Sequence, residues 1–125
     1  MKRAVLLPVV LLSLSSTAAP PAGSTWKDAK VTDVTVYTAG GPAGKGYVVV
    51  TFAANGAGTP SCASGYPRNL VIDLSAGGGG MAAMLVEQSM MTGQALTVTG
   101  SGSCSVNPSM ETLASIQSRG FSGPP

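Results

Sequence analysis

Apolar and polar residues alternate along several short stretches of the chain, and this period of two is typical of β-strands. The first stretch, residues 30–37, places Val34 and Val36 on the face opposite Thr35 and Tyr37. One face of this segment is therefore apolar. The pattern predicts a strand with that face buried.

Four later stretches extend the pattern. Residues 47–53 are apolar on both faces, so we expect this strand to be covered on both sides. The glycine-rich loop at 40–46 before it predicts an antiparallel hairpin with the first strand. Residues 69–75 predict a half-buried third strand and residues 94–100 a fourth. Residues 111–117 predict a fifth strand, with a short helix as the alternative.

Residues 81–92 lose the period of two and consist mainly of good helix formers. Gly93 suits the left-handed residue that follows a helix. The apolar residues do not form one stripe, since Met84, Leu85 and Met90 point in different directions. A small domain can cover only one side of such a helix. We therefore expect another side to contact a partner, for example a second copy of the chain.

Three strands, one helix and two strands, in that order, predict a mainly β fold with one helix. The order β-β-β-α-β-β is typical of a five-stranded Greek-key barrel of the OB type. A barrel also removes the exposed edges of short apolar strands. We expect this domain to span residues 26–118, after a signal peptide at 1–18 and a flexible leader at 19–25, and before a flexible tail at 119–125.

The N-terminal residues have the three parts of a secretory signal. Lys2 and Arg3 precede an apolar run at 4–14, and small residues follow at 16–18. Pro8 interrupts the run, which is too short to span a bilayer. The sequence therefore predicts an exported protein, secreted or periplasmic, that has no membrane anchor.

The charges of the remaining chain balance. Of seven basic residues, Lys2 and Arg3 belong to the signal, which leaves five against five acidic residues. Nucleic-acid binding and anionic membranes both need clustered positive charge. We therefore expect neither partner.

Two cysteines, Cys62 and Cys104, follow the signal. An even number of cysteines in an exported chain predicts a disulfide. Free or redox-active thiols are the alternative, but no CxxC spacing supports them.

The chain contains no histidine. This excludes Ser-His-Asp and Cys-His catalysis and histidine metal sites. A carboxylate pair could serve a glycosidase, but the acidic residues are scattered and we expect them to be solvated. The glycines at 77–80 could bind an anion before the helix, but no Gly-Lys-Ser/Thr follows, which favours a flexible connection. We predict a protein that is not an enzyme and needs no metal or cofactor.

Two groups of side chains could bind a ligand. The helix methionines could form a peptide groove or a copper site, with packing as the alternative. The larger aromatic side chains could stack on a ligand, with packing at strand ends as the alternative. The methionines are Met81, Met84, Met90 and Met91, and the aromatic residues are Trp26, Tyr37, Tyr47 and Tyr66.

The pattern around the helix resembles the binding subunits of pentameric bacterial toxins, namely subtilase cytotoxin and the pertussis-like typhoid toxin. The shared outline is a cysteine, a short apolar strand, a helix ending in Thr92-Gly93-Gln94, an alternating strand and a second cysteine. The resemblance covers residues 26–102 and is densest at Cys62 and at 84–98. Small exported proteins of uncharacterised function share the same outline.

The resemblance implies an OB-type barrel that assembles into a homo-oligomeric ring, a pentamer, with its helix lining the central channel. The contact between copies would then involve Met84, Glu87, Gln88 and Met91. It also implies a glycan or protein receptor and a catalytic partner subunit.

Receptor contacts in the toxin family come from small hydroxyl residues and tyrosines near the first strand. Thr32 stands where the family has a serine, and with Asp33, Tyr37 and Tyr66 it forms the predicted ligand site. This chain has fewer aromatic residues, more glycines and no second disulfide. The alternative is therefore a stand-alone exported structural or protein-interaction domain that binds no sugar.

Overall fold

The alternating stretches and the helical stretch build one mainly β structure with one α-helix. The computed structural model describes residues 23–118. The predicted signal peptide, the first part of the leader and the tail lie outside the described residues. The strands are β1 (Thr25–Ala29), β2 (Val31–Tyr37), β3 (Tyr47–Phe52), β4 (Asn69–Asp73), β5 (Leu96–Gly100) and β6 (Glu111–Ser118), and the helix is α1 (Gly79–Thr92).

The six strands form a curled half-barrel sheet in the order β1-β5-β6-β4-β3-β2. All neighbouring strands are antiparallel except β4 and β6, which are parallel. β1 and β2 lie at the two ends of this order, although only Lys30 separates them in the chain. One bent segment therefore supplies both end strands, and the predicted hairpin of β2 with β3 is confirmed.

β1 was not predicted, and the sheet has six strands where the sequence predicted five. Its apolar and polar residues do not alternate, since two adjacent charged residues, Lys27 and Asp28, follow Trp26. In the structure, Trp26 and Ala29 are buried while the two charged residues are exposed. Pairing with β5, where Trp26 lies opposite Val98, holds this segment extended. Tertiary contacts therefore override a weak local pattern.

The predicted leader also ends earlier than expected. Ser24 is only 1% exposed, and Thr25 begins β1. The backbone N–H of Gly100 donates to the Ser24 carbonyl at 2.7 Å. Residues 23–25 are therefore part of the folded domain.

The core lies between the concave side of the sheet and α1. β3 is buried on both faces, as predicted, because Val49 is covered as well as Val48 and Val50. β4 was predicted to be half-buried, but Val71 is 0% exposed. Val36, predicted on the buried face of β2, is 53% exposed. The main core cluster consists of Trp26, Ala29, Val48, Val50, Phe52, Leu70, Ile72, Ala82, Val86, Leu96 and Val98.

The helix is confirmed, and Gly93 follows it in the left-handed conformation, with its N–H bonded to the Ser89 carbonyl. The residues that face the sheet are small or of moderate size and recur at spacings of three and four. The sheet therefore approaches the helix closely along this face. These buried residues are Gly79, Ala82, Val86 and Ser89.

The predicted disulfide is confirmed between Cys62 and Cys104, which lie 42 residues apart in sequence. It joins the short 3-10 turn at Ser61–Ala63 to the segment between β5 and β6. The fifth predicted strand is also confirmed, as β6. No helix within residues 23–118 is both long enough and apolar enough to pass through a lipid bilayer.

Glu111 corrects the prediction that all acidic residues are solvated. Its side chain is only 1% exposed, and its carboxyl oxygens accept the Ser24 N–H at 2.8 and 3.2 Å. The carboxyl group lies against Gly100, where any Cβ atom would overlap it. Buried polar groups need such partners, and here the partner is a backbone N–H 87 residues away.

Candidate functional site

An open depression lies where β3 ends and β4 begins, with a volume of about 600 Å³. Tyr66 is 45% exposed and forms part of its wall. Among the described residues that line it, Arg68 carries the single charge. The remaining lining residues are Ala53, Ala54, Asn55, Gly65, Pro67 and Asn69.

Backbone hydrogen bonds fix the loop that carries Tyr66. The Tyr66 N–H donates to the Ala63 carbonyl at 2.9 Å, and the Asn69 N–H donates to the Tyr66 carbonyl at 3.1 Å. The Phe52 N–H donates to the Arg68 carbonyl at 2.8 Å, which ties the loop to β3. These bonds hold the backbone at Tyr66 in a fixed position relative to β3.

Trp26 does not line the depression but is buried next to a loop that does. It is 6% exposed, contacts Phe52 at a ring-centroid distance of 4.8 Å, and donates from Nε1 to the Ala54 carbonyl at 2.9 Å. A Cβ atom on Gly56 would overlap the indole ring, so this position requires glycine. The one tryptophan therefore holds the loop 53–56, and its role as a stacking platform is excluded.

Two hydrogen bonds through Thr51 connect the predicted Thr32 to this depression. The Thr32 hydroxyl donates to the Thr51 carbonyl at 3.2 Å, and Asn69 Nδ2 donates to the Thr51 hydroxyl at 2.8 Å. Asp33 lies opposite Thr51 in the sheet, after a register shift at Thr32. Thr32 and Asp33 therefore lie at the same end of the sheet as the wall residue Asn69.

Tyr37 lies at the other end of β2 and does not belong to this group. It stacks on Tyr47 with ring centroids 4.9 Å apart and an angle of 14° between the planes. Tyr37 lies four positions after Asp33 in the chain, which corresponds to about 13 Å along a strand. The structure therefore divides the predicted ligand residues into a group at the depression and a separate tyrosine pair.

The predicted contact residues of α1 are exposed, on the side of the helix away from the sheet. Met81, Met84, Gln88 and Met91, which we call the methionine seam, recur at spacings of three, four and three. Met81, Met84 and Met91 are 66%, 65% and 84% exposed. The seam is shifted by two residues, or about 200°, from the face buried against the sheet. Glu87 is exposed at the rim of the seam.

A second cavity of about 290 Å³ lies between the start of α1 and strands β4 and β6. Its wall includes the glycines at 77–79 and the apolar side chains of Ile72, Leu113 and Ile116. Residues 23–118 contain no group of three or more histidine, cysteine, aspartate or glutamate side chains that could hold a metal ion.

Sequence reasoning selected Tyr66 but missed the polar residues around it, namely Asn55, Arg68 and Asn69. The available signal was weak: the Asn55-Gly56 pair indicates a turn, and residues 65–68 end a loop before an apolar strand. Loop residues at strand ends often carry function. The sequence did not show that residues 53–55 and 65–69, at the two ends of the connection from β3 to β4, would line one depression.

No protein-family model, curated protein or solved structure matches this chain. Its class is therefore defined by its own features. It is a small, mainly β domain with one disulfide, an open polar depression at one end and an exposed methionine seam on its helix.

Proposed function

We propose that the protein is an exported, non-catalytic binding module that holds a glycan in the Tyr66 depression and associates with copies of itself through the methionine seam. The observation that carries the proposal is the accessible Tyr66 ring beside Arg68 and the amides of Asn55 and Asn69. The disulfide supports export, because such bonds persist in oxidising compartments.

We also propose that the half-barrel is of the OB type. If β1 and β2 are counted as one bent strand, five strands remain and the helix lies between the third and the fourth. The bent strand then neighbours both β3 and β5, and the last strand runs parallel to the third. OB-type barrels bind oligosaccharides and oligonucleotides on such surfaces. The absence of clustered positive charge favours the saccharide.

The depression suits a sugar better than an apolar ligand. Its lining combines one aromatic ring with amide and guanidinium groups, and sugars present both C–H faces and hydroxyl groups. Asn side chains both donate and accept hydrogen bonds, while Arg offers five donors. Its volume of about 600 Å³ lies within the range for small-molecule sites.

Replacement of Tyr66 by alanine is expected to weaken glycan binding about tenfold or more, because it removes the only aromatic platform at the depression. Tyr37→Ala is the matched control, since both tyrosines are 45% exposed but Tyr37 lies at the other end of β2. A glycan array identifies the ligand, and calorimetric titration then compares the variants. Equal losses in both variants, or no binding to any glycan by the unmodified protein, would contradict the glycan proposal.

Self-association is supported by the spacing of the methionine seam. Positions separated by three, four and three residues match the a and d positions of a heptad, which pack against another helix. Within residues 23–118, α1 is the only α-helix, so no other α-helix of this part of the same copy can pack on the seam. We propose that a second copy supplies the matching helix. Glu87 is the one charged residue of α1, so the seam offers little to a strongly charged partner.

The variant with both Met84→Gln and Met91→Gln is expected to shift the protein to monomer, because with Gln88 it makes three of the four seam positions polar. Glutamine is a good helix former of similar length, so α1 should persist. Met90→Gln is the control, since Met90 lies on the same helix outside the seam. Light scattering and sedimentation at micromolar concentration measure the mass. The ring of five copies and the catalytic partner subunit stay predictions of the toxin resemblance.

A monomeric unmodified protein in the same measurement would remove the ring proposal and leave the glycan proposal standing. A monomer that also binds no glycan would favour the stand-alone protein-interaction domain. The two measurements therefore separate the alternatives.

A further inference from the structure

The methionines of α1 are the most exposed of the methionines that the structure describes, since Met110 is partly buried. Both cysteines are joined in the disulfide, and Trp26 is 6% exposed. Thioethers react with peroxides according to their exposure. An oxidant in solution therefore meets Met81, Met84 and Met91 first.

Oxidation at these positions leaves the fold in place. The helix binds the sheet through Gly79, Ala82, Val86 and Ser89, none of which contains sulfur. The thioethers of the seam lie on the opposite side and point away from the core. Sulfoxide formation therefore changes the surface of the helix while its buried face stays the same.

We propose that the methionine seam is an oxidation-controlled contact surface. A hydroperoxide oxidises Met81, Met84 and Met91 on the free subunit, and the oxidised subunit no longer binds a second copy. This inference rests on the proposed self-association through the seam. Methionine sulfoxide is polar, so it removes the apolar surface that the two copies would bury against each other.

The reaction is balanced with the hydroperoxide as the oxidant. The sulfur lone pair attacks the outer peroxide oxygen, so the S–O bond forms as the O–O bond breaks. The displaced oxygen takes a proton and leaves as water or an alcohol. Sulfur loses two electrons and the peroxide gains two. Methionine sulfoxide reductases reverse the change.

Association and oxidation then oppose each other. A seam buried between two copies is shielded from peroxide, so the oxidation rate falls as protein concentration rises. Met90 lies outside the seam and is 42% exposed, and its rate should not depend on concentration. This concentration dependence is specific to a shielded seam, because mere exposure would give the same rate at every concentration.

The test treats the full chain with hydrogen peroxide and follows each methionine by peptide mass spectrometry. We expect Met81, Met84 and Met91 to be oxidised first in dilute protein and about tenfold more slowly in associated protein. Sedimentation should show monomers after oxidation, with an unchanged circular dichroism spectrum. Treatment with sulfoxide reductases should restore the associated form.

The control variant carries leucine in place of Met81, Met84 and Met91, which keeps the seam apolar but cannot form sulfoxides. It should associate and remain associated after peroxide treatment. An unmodified protein that stays associated after complete oxidation overturns this inference alone, as does a leucine variant that dissociates. An unmodified protein that is monomeric before any oxidant is added overturns the proposed self-association, and this inference with it.

Discussion

A Gly100→Ala variant is expected to lose about 3–5 kcal/mol of unfolding free energy, because the new methyl group would overlap the buried carboxyl group of Glu111. Both oxygens of that carboxyl group accept the Ser24 N–H, and the Gly100 N–H donates to the Ser24 carbonyl. The carboxyl group cannot move without breaking these bonds. The expected loss is a large part of a typical net stability of about 5–15 kcal/mol.

Gly77→Ala is the matched control for this experiment. Gly77 has open space where a Cβ atom would be added and no positive φ. Its replacement should change the free energy of unfolding by no more than about 0.5 kcal/mol. Urea denaturation followed by circular dichroism measures both variants. Similar stability of the Gly100→Ala variant and the unmodified protein would contradict the close packing at Glu111.

A second variant tests the cause of the loss. Glu111→Ala alone should cost about 1–3 kcal/mol, since it leaves the buried Ser24 N–H without its acceptor. Combined with Gly100→Ala, it removes the group that the new methyl would overlap. The double variant should therefore lose less than the sum of the two single variants, by about 1 kcal/mol or more. Additive losses would assign the effect to the backbone of β5.

The pattern of apolar and polar residues correctly predicted those elements whose structure depends mainly on residues close together in the sequence. β2 and β3 alternate or are apolar throughout, and their loop contains the turn residues that a hairpin needs. α1 consists mainly of helix formers and is followed by a glycine. The disulfide was predicted from the even number of cysteines together with the predicted export of the chain.

The sequence pattern predicted burial wrongly where contacts between distant segments of the chain determine which side chains are covered. The Glu111 side chain looks like any solvated carboxylate in sequence, and its partner Ser24 lies at the other end of the domain. Val71 appears on the outer face of β4, but the fold also covers that face. Neither residue has a local signal that distinguishes it from an exposed neighbour.

The helix shows a related limit. Its sequence is apolar in several directions, so pattern could indicate a surplus of apolar surface but not which side faces the core. Small residues such as Ala82 and Ser89 allow the sheet to approach, while the larger Met84 and Met91 face solvent. The buried residues of α1 are therefore smaller than its exposed methionines, although large apolar side chains are usually the buried ones.

The sequence predicted only some residues of the candidate site, because it does not show which side chains the fold brings close together. Thr32 was selected from the toxin resemblance, and hydrogen bonds through Thr51 connect it to the depression. Tyr66 and Tyr37 were both selected as tyrosines, yet the length of β2 separates Tyr37 from the depression. Residue type therefore identifies possible ligand residues, and the length of β2 determines which of them lie close enough to contact one ligand.

Removing the disulfide with Cys62→Ala and Cys104→Ala is expected to lower the free energy of unfolding by about 4 kcal/mol. The bond closes a loop of 42 residues, and on the chain-entropy model a loop of this length restricts the unfolded chain by about that amount. Urea denaturation of the variant and of the intact protein, with and without reductant, measures the difference.

The native structure around the disulfide should change little, because backbone hydrogen bonds hold both of its ends. The Tyr66 N–H donates to the Ala63 carbonyl beside Cys62, and the Thr112 N–H donates to the Ser103 carbonyl beside Cys104. The folded variant should therefore bind a glycan with unchanged affinity. Its urea m-value should rise, because the unfolded chain expands and exposes more surface. A lower stability with weaker binding would instead mean that the bond shapes the depression, and an unchanged midpoint would contradict the stabilising role.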